Sequence, residues 1–307
     1  MKILLLGANG QVGFELQRAL APLGELVLAT RNGVLPGGAC CETADLDQPA
    51  ALVGLFDRIE PALIVNAAAY TAVDRAEDEP DAAQRANAQA PGVIGSWAAA
   101  NDAAVVHYST DYVFDGSATT PYHEDDAVAP LGVYASSKLA GEIALRDSGA
   151  VHLILRTAWV YAARGNNFLR TMVRLARERD RLTVVADQIG APTPARLIAS
   201  TTAAILSRWL AVDAAQRLHT SGIYHLVSDG RCSWHEFASA IIARAVTAGL
   251  IERAPEVAPI STAQFPTRAR RPAWSVLDTR RLRETFGLHI PIWELGLDDV
   301  IGELAQK

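Results

Sequence analysis

Short apolar runs alternate with longer amphipathic stretches along the first half of the chain. Ile3 to Leu6 has the length of a strand, and Val12, Leu16 and Leu20 then recur at i, i+4 and i+8, a helical stripe that ends near Pro22 and Gly24. Leu26 to Ala29, and Leu63 to Val65 behind Pro61, read as further strands. An Ala-rich helix is predicted around residues 80–101, followed by a strand at Val105 to Tyr108, a helix carrying Tyr134 to Leu145, and a strand at Leu153 to Leu155. Nearly continuous apolar strands separated by helices predict a doubly wound parallel sheet covered on both faces.

The second half is less regular. It reads as a helix over Phe168 to Arg179, a strand at Thr183 to Ala186, a Pro-bracketed loop at Ala191 to Pro194, a helix from Leu197 to Ala211, and a strand at Ile223 to Val227. Ser233 with Glu236 three residues on is a capping-box pattern that opens another helix. Pro255 to Ser275, rich in Pro and Arg, is expected to be an ordered loop crossing a site. The division expected is a dinucleotide-binding domain over 1–164 plus 196–227, interleaved with a smaller substrate domain over 165–195 plus 228–307.

Composition narrows the classes. With 28 Lys and Arg against 34 Asp and Glu, the net charge of −6 gives no footprint for a nucleic acid. No run approaches the roughly 18 apolar residues of a membrane span, and Met1 to Gly7 is too short for a signal-peptide core. Neither a nucleic acid nor a membrane is therefore expected as a partner. Cys40, Cys41 and Cys232 are odd in number, and no Cys or His cluster has zinc spacing, so no metal ligand is assigned. The expected compartment is the reducing cytoplasm.

Gly7-Ala8-Asn9-Gly10-Gln11-Val12-Gly13 lies between the first strand and the first helix. Gly7 permits the turn, Gly10 lets backbone approach a pyrophosphate, and Gly13 lets the helix pack closely on the sheet. The free N–H groups of the helix start complete a Rossmann-type dinucleotide site. The second strand ends at Thr30-Arg31, without the carboxylate that would bind a ribose 2′-hydroxyl. Arg31 could instead pair with a 2′-phosphate, so NADPH is expected ahead of NADH. Asp45 and Leu46 are placed beside the adenine.

Tyr134 and Lys138 stand at i and i+4 on one helix face, and Thr110 closes the strand that contains Tyr108. Reduction of a carbonyl needs a proton donor at the oxygen, and a nearby ammonium would lower the phenol's pKa towards neutrality. A lone Tyr-x-x-x-Lys more often marks a surface helix pair; joined to the glycine loop and the Ser109-Thr110 strand end, it points to carbonyl chemistry.

These segments carry a resemblance. Together with Asn66 to Asp74, His107 to Phe114, Arg156 to Tyr161, Gly165 to Phe168, Asp187 to Thr193 and Trp293 to Gly296, the chain resembles the extended short-chain dehydrogenase/reductase superfamily. Within it, the chain is similar to the dTDP-4-dehydrorhamnose reductase family. The resemblance implies Thr110, Tyr134 and Lys138 as the catalytic set. It implies Ala68, Ala69 and Tyr70 on the nicotinamide side and Trp159 packed on a deoxysugar. Asp111, Gln188, Thr193 and, for a diphosphate, Arg271 complete the substrate set. Some relatives use a magnesium ion at a dimer contact; a homodimer is thus expected as an option, with no ligands assigned to the ion. Thr30 stands where the family usually has an acidic residue, and Arg271-Pro272-Ala273-Trp274-Ser275 departs from Arg-Pro-x-Asn-Ser.

The reaction so implied is reduction of the C4 keto group of a dTDP-linked ketosugar. Rivals on the same scaffold are another nucleotide-sugar reductase or epimerase, and a non-catalytic regulatory subunit. Trp234, Trp274 and Trp293 are expected to be packing residues, His107 a satisfied core histidine, and Glu77 to Asp81 an acidic run that caps a helix start.

Overall fold

Ile3 and Leu5 on one face of the first strand, β1 (Lys2–Leu6), and Leu4 and Leu6 on the other, enter two separate apolar cores. All four are fully buried, as befits a central strand covered on both faces. The computed structural model, which describes residues 1–306, places six more parallel strands beside it: β2 (Glu25–Thr30), β3 (Glu42–Thr43), β4 (Leu63–Asn66), β5 (Ala104–Thr110), β6 (Val151–Thr157) and β7 (Gly222–His225). Their spatial order is β7-β6-β5-β4-β1-β2-β3. The order reverses between β1 and β4, and the crevice above their carboxyl ends is where open α/β sheets take ligands.

One face of the sheet packs against α1 (Gln11–Leu20) and the helix Ala195–Trp209; the other packs against Ala51–Ile59, Ala90–Ala100 and α2 (Val133–Asp147). The Ala-rich helix expected over 80–101 is interrupted by a π-turn at Arg85–Gln89. Pro91 has no N–H to return to Asn87, which accounts for the widened turn.

A second lobe is built on Phe168–Glu178, Trp234–Thr247 and Trp293–Ala305, around a core that includes Leu169, Phe237, Ile241 and Leu297. Its capping box at Ser233 and Glu236 is formed as expected. Two expectations are corrected. The stretch Pro255 to Ser275 opens as a strand, Glu256–Ile260, paired in parallel with Arg181–Val185 before it becomes a strap. The helix Arg280–Phe286 lies with the sheet rather than the second lobe, because Leu282, Phe286 and Ile290 enter the core of the first.

Candidate active site

The loop after β1 is shaped by close approach. Gly7 has φ of +79°, and a Cβ there would meet the Ala68 backbone N at 2.7 Å. At Gly13 a Cβ would collide with the Gly7 carbonyl, so α1 can start tight against the strand end only with glycine. Above this loop opens a cleft of about 760 Å³ whose walls include Gly7, Gly10, Gln11, Val12, Arg31, Leu46, Ala68 and Ala69. The same cleft reaches Thr110, Asp111, Tyr134, Lys138 and Trp159. A groove that bare glycine backbone and a helix start line at one end fits a dinucleotide's pyrophosphate.

Not every expected cofactor residue faces this cleft. Thr30 is fully buried, and its hydroxyl accepts from Val34 N at 3.0 Å, tucked under the loop that follows β2. Arg31, on that loop, is 73% exposed in its side chain and lies 3.6 Å from the Asp45 carboxylate. Asp45 thus acts on the cleft through Arg31. Tyr70 turns away, its hydroxyl donating to Glu79 at 2.8 Å.

The carbonyl chemistry sits where β5 meets α2. The start of α2 is pinned by Glu77, whose carboxylate accepts from Val133 N at 2.9 Å, so part of the acidic run caps a helix more than fifty residues away. Tyr134 then faces the same cleft as Thr110. Burial, with the Asp111 charge, pushes the Tyr134 hydroxyl up to about 12, so the phenol is neutral and proton-bearing at ordinary pH. Lys138 does not lower it. Its Nζ donates to the Tyr108 carbonyl at 2.6 Å and lies 3.3 Å from His107 Nε2, and burial depresses it to about 8. The expectation of an ammonium acting directly on the phenol is corrected: burial outweighs it, and the amine is engaged by β5. His107, held neutral by burial and by Lys138, also meets Asn66 at 3.1 Å, so it forms part of the bed under the lysine.

Asp111 is 2% exposed, its Oδ1 accepts from Thr110 Oγ1 at 3.0 Å, and its Oδ2 has no partner. Burial raises its pKa from the ordinary 3.8 to about 7. A carboxyl raised on folding adds stability while protonated and loses it as pH rises from the unfolded to the folded pKa. The melting temperature of the wild type, relative to Asp111→Asn, is therefore expected to fall between about pH 4 and pH 7 and to level off above. Parallel melting curves across that window would refute the shift.

One residue escaped the sequence reading. Asn87, fully buried on the π-turn, accepts from Tyr70 N at 2.9 Å and donates to Tyr70 O at 3.0 Å and Ser137 Oγ at 3.0 Å. Ser137 in turn donates to the Tyr134 carbonyl at 2.8 Å. Asn87 thereby ties the loop after β4 to the helix bearing Tyr134 and Lys138. A polar amide inside an Ala-rich apolar helix was the available signal.

The remaining substrate candidates divide. Trp159 lines the cleft with φ of +46°, its ring stacked on Trp234, which lines the cleft too and is no mere packing residue. Gln188 is buried and donates to Thr262 at 3.0 Å, and Thr193 is fully buried, linking Ala191 O to Ser228 N. Neither lines the cleft; both hold loops of the second lobe. Arg271 is anchored to Asp74 at 2.6 Å, while its Nη1 is buried without a partner. The strap beyond it, Ala273 to Ser275, pairs through backbone with Ile189, and the Trp274 indole donates to the Thr120 carbonyl at 2.9 Å. Among the described residues, no group of three or more His, Cys, Asp or Glu is placed to hold a metal ion, so nothing supports magnesium. No described helix is long and apolar enough to cross a membrane.

The family model described as the RmlD substrate binding domain matches residues 1–306. The chain belongs to this family. Among the family's curated members, it is 46% identical over 309 residues to the dTDP-4-dehydrorhamnose reductase of Burkholderia thailandensis, covering 100% of both chains. It is 44% identical over 304 residues to that of Escherichia coli K12, covering 99% of this chain and 98% of the relative. Among solved structures, a dTDP-4-dehydrorhamnose reductase from Clostridium acetobutylicum superposes with a TM-score of 0.85 at 34% identity, covering 99% of each chain. One from Bacillus anthracis, in complex with NADP, gives 0.84 at 33%, covering 98% of this chain and 99% of that one. The RmlD family thus accounts for both lobes, not for the dinucleotide half alone.

Proposed function

We infer that the protein reduces the C4 keto group of dTDP-4-dehydro-L-rhamnose with NADPH, giving dTDP-L-rhamnose, the last step of dTDP-rhamnose biosynthesis. The observation that carries the reading is a single cleft lined by the glycine loop at one end and by Thr110, Tyr134 and Lys138 at the other, in a chain 46% identical to a reductase of that name. When bound, NADPH supplies the hydride. The chain's own residues do the rest. The start of α1, with Gly10, Gln11 and Val12, holds the pyrophosphate, and Ala68 and Ala69 border the nicotinamide end. Lys138, braced against Tyr108 and His107, directs its remaining hydrogen-bonding capacity to the cofactor's ribose. Thr110 and Tyr134 both address the substrate carbonyl oxygen, and Tyr134 gives it a proton. The unpaired Asp111 Oδ2 is available to a sugar hydroxyl. Arg271 Nη1 is likewise unpaired, so this guanidinium keeps a free donor for an anionic group.

The test is turnover of the dTDP-linked ketosugar with NADPH and identification of the product. Formation of dTDP-L-rhamnose is expected. A different C4 epimer would favour another nucleotide-sugar reductase, and NADPH binding without oxidation would favour a regulatory subunit. The setting proposed is the cytoplasm, which suits three free thiols, Cys40, Cys41 and Cys232.

Cofactor preference follows from Arg31. Charge-assisted hydrogen bonds are worth about 1.5–3 kcal/mol, and an exposed guanidinium in water stays at the low end, a preference for NADPH of about tenfold. Arg31→Ala is expected to raise the NADPH KM by that factor, to leave the NADH KM alone, and to abolish the salt dependence of the difference. Equal use of both cofactors by the wild type would remove Arg31 from the site.

A further inference from the structure

Trp159 combines three features that its place in the cleft wall does not require. Its backbone is left-handed at φ +46°, a conformation a bulky side chain adopts only when its surroundings impose it. Its ring lies on that of Trp234 at a centroid separation of 3.5 Å and an interplanar angle of 7°. Its other face lies on backbone: a Cβ built on Gly190 would stand 2.5 Å from Cε2 and 2.7 Å from both Cζ2 and Nε1, directly over the indole. Trp234 and Gly190 cannot occupy the same face at these separations, so the indole is sandwiched.

The two jaws come from the second lobe and are joined. Gly190 pairs with Cys232 in a short antiparallel ladder, and Trp234 follows two residues later as the first residue of its helix. Trp234 is itself seated on Phe168, at 4.6 Å between ring centroids. Phe168 follows Asn167, whose side chain donates to Gln11 of the glycine loop at 2.8 Å. The clamp is therefore fixed to the cofactor end of the cleft as well as to the second lobe.

We propose that Trp234 is a positioning residue for the sugar subsite: with Gly190 it holds the Trp159 indole on both faces, so that a bound sugar meets the edge of that ring and not its face. The proposal rests on the reading of the cleft as a nucleotide-sugar site, and it replaces the expectation that the sugar packs on the Trp159 face. A stacked face is unavailable to a sugar unless the ring swings out, and swinging costs the aromatic contact. A held ring sets a fixed depth for the subsite, and Trp234 carries this effect without needing to touch the substrate.

Two stacked indoles give an exciton couplet in circular dichroism, which reports the clamp independently of activity. In the wild type with NADP, the couplet is expected to persist when the dTDP-ketosugar saturates the site. Its collapse on binding would overturn the proposal, because the ring would then have left the clamp. Trp234→Leu is expected to abolish the couplet and raise the KM for the ketosugar nucleotide about three- to tenfold, leaving the NADPH KM unchanged. Trp234→Phe, which restores a flat ring against Trp159, should bring that KM back towards wild type and serves also if the Leu variant folds poorly. In a Trp159→Ala background, Trp234→Leu should add nothing further. An unchanged KM in a folded Trp234→Leu protein, no recovery with Phe, or additive effects of the two substitutions would each overturn the positioning role. Failure of the wild type to turn over the ketosugar would instead strike at the proposed function, with the couplet still in place.

Discussion

Tyr134→Phe is expected to lower kcat by about 10²–10⁴-fold with NADPH affinity nearly unchanged, the usual span for removing a general acid. The substitution keeps the ring and removes only the atom that gives the proton. Burial holds that proton up to about 12, so the wild-type phenol remains a loaded donor across the whole working range. The alkaline limb of the wild-type rate profile should accordingly follow Lys138, near 8 in the free protein, and not the tyrosine. Folding should survive, because the buried ring is kept and at most one neutral hydrogen bond is lost with the hydroxyl, worth about 0.5–1.5 kcal/mol. Single-turnover measurement at saturating ketosugar and NADPH separates the chemical step from binding. Near wild-type turnover in the Phe variant would mean that another group, with Asp111 the nearest candidate, delivers the proton.

Features written in contiguous residues are legible in the sequence. The glycine loop works through the conformations of Gly7 and Gly13 themselves, and the Tyr134–Lys138 pair needs only one helix. Features set by distant partners were not legible. The direction of Thr30 depends on the loop after β2 folding back so that Val34 N reaches its hydroxyl, and residue type alone does not encode that return. The pKa of Tyr134 depends on how completely α2 and β5 close over it, where helical spacing suggested only proximity to Lys138. Gln188 and Thr193 sit in a segment that resembles the family, yet their side chains serve Thr262 and Ser228. Resemblance carries a residue to the right loop without saying which way it points. Asn87 and Trp234 lie far in sequence from the groups they hold, so Asn87 carries no local mark of its partners and Trp234 reads only as a packing residue.

Glu142→Leu is expected to cost about 3–5 kcal/mol of stability, the penalty for stranding a buried charge. Glu142 lies on α2 one turn beyond Lys138, and its carboxylate takes Arg156 of β6 through Nε at 3.0 Å and Nη2 at 2.7 Å. The two side chains are 1% and 3% exposed, so water offers the guanidinium no substitute partner. Arg156 Nη1 retains only the Glu124 carbonyl at 3.3 Å. Against a total of about 5–15 kcal/mol for a typical domain, such a loss would be severe, and urea unfolding should show it as a lower midpoint. Removing both partners, Glu142→Leu with Arg156→Met, should recover much of it, because the stranded charge rather than the missing attraction dominates the cost. A single-variant loss under about 1 kcal/mol would place the pair with screened surface bridges and refute its role. The milder Glu142→Gln isolates the catalytic consequence. Glu142 is the charge that holds the Lys138 pKa up against burial, so its neutralisation should move the alkaline limb of the pH–rate profile below about 8. An unmoved limb in a folded Glu142→Gln protein would show that Lys138 does not set it.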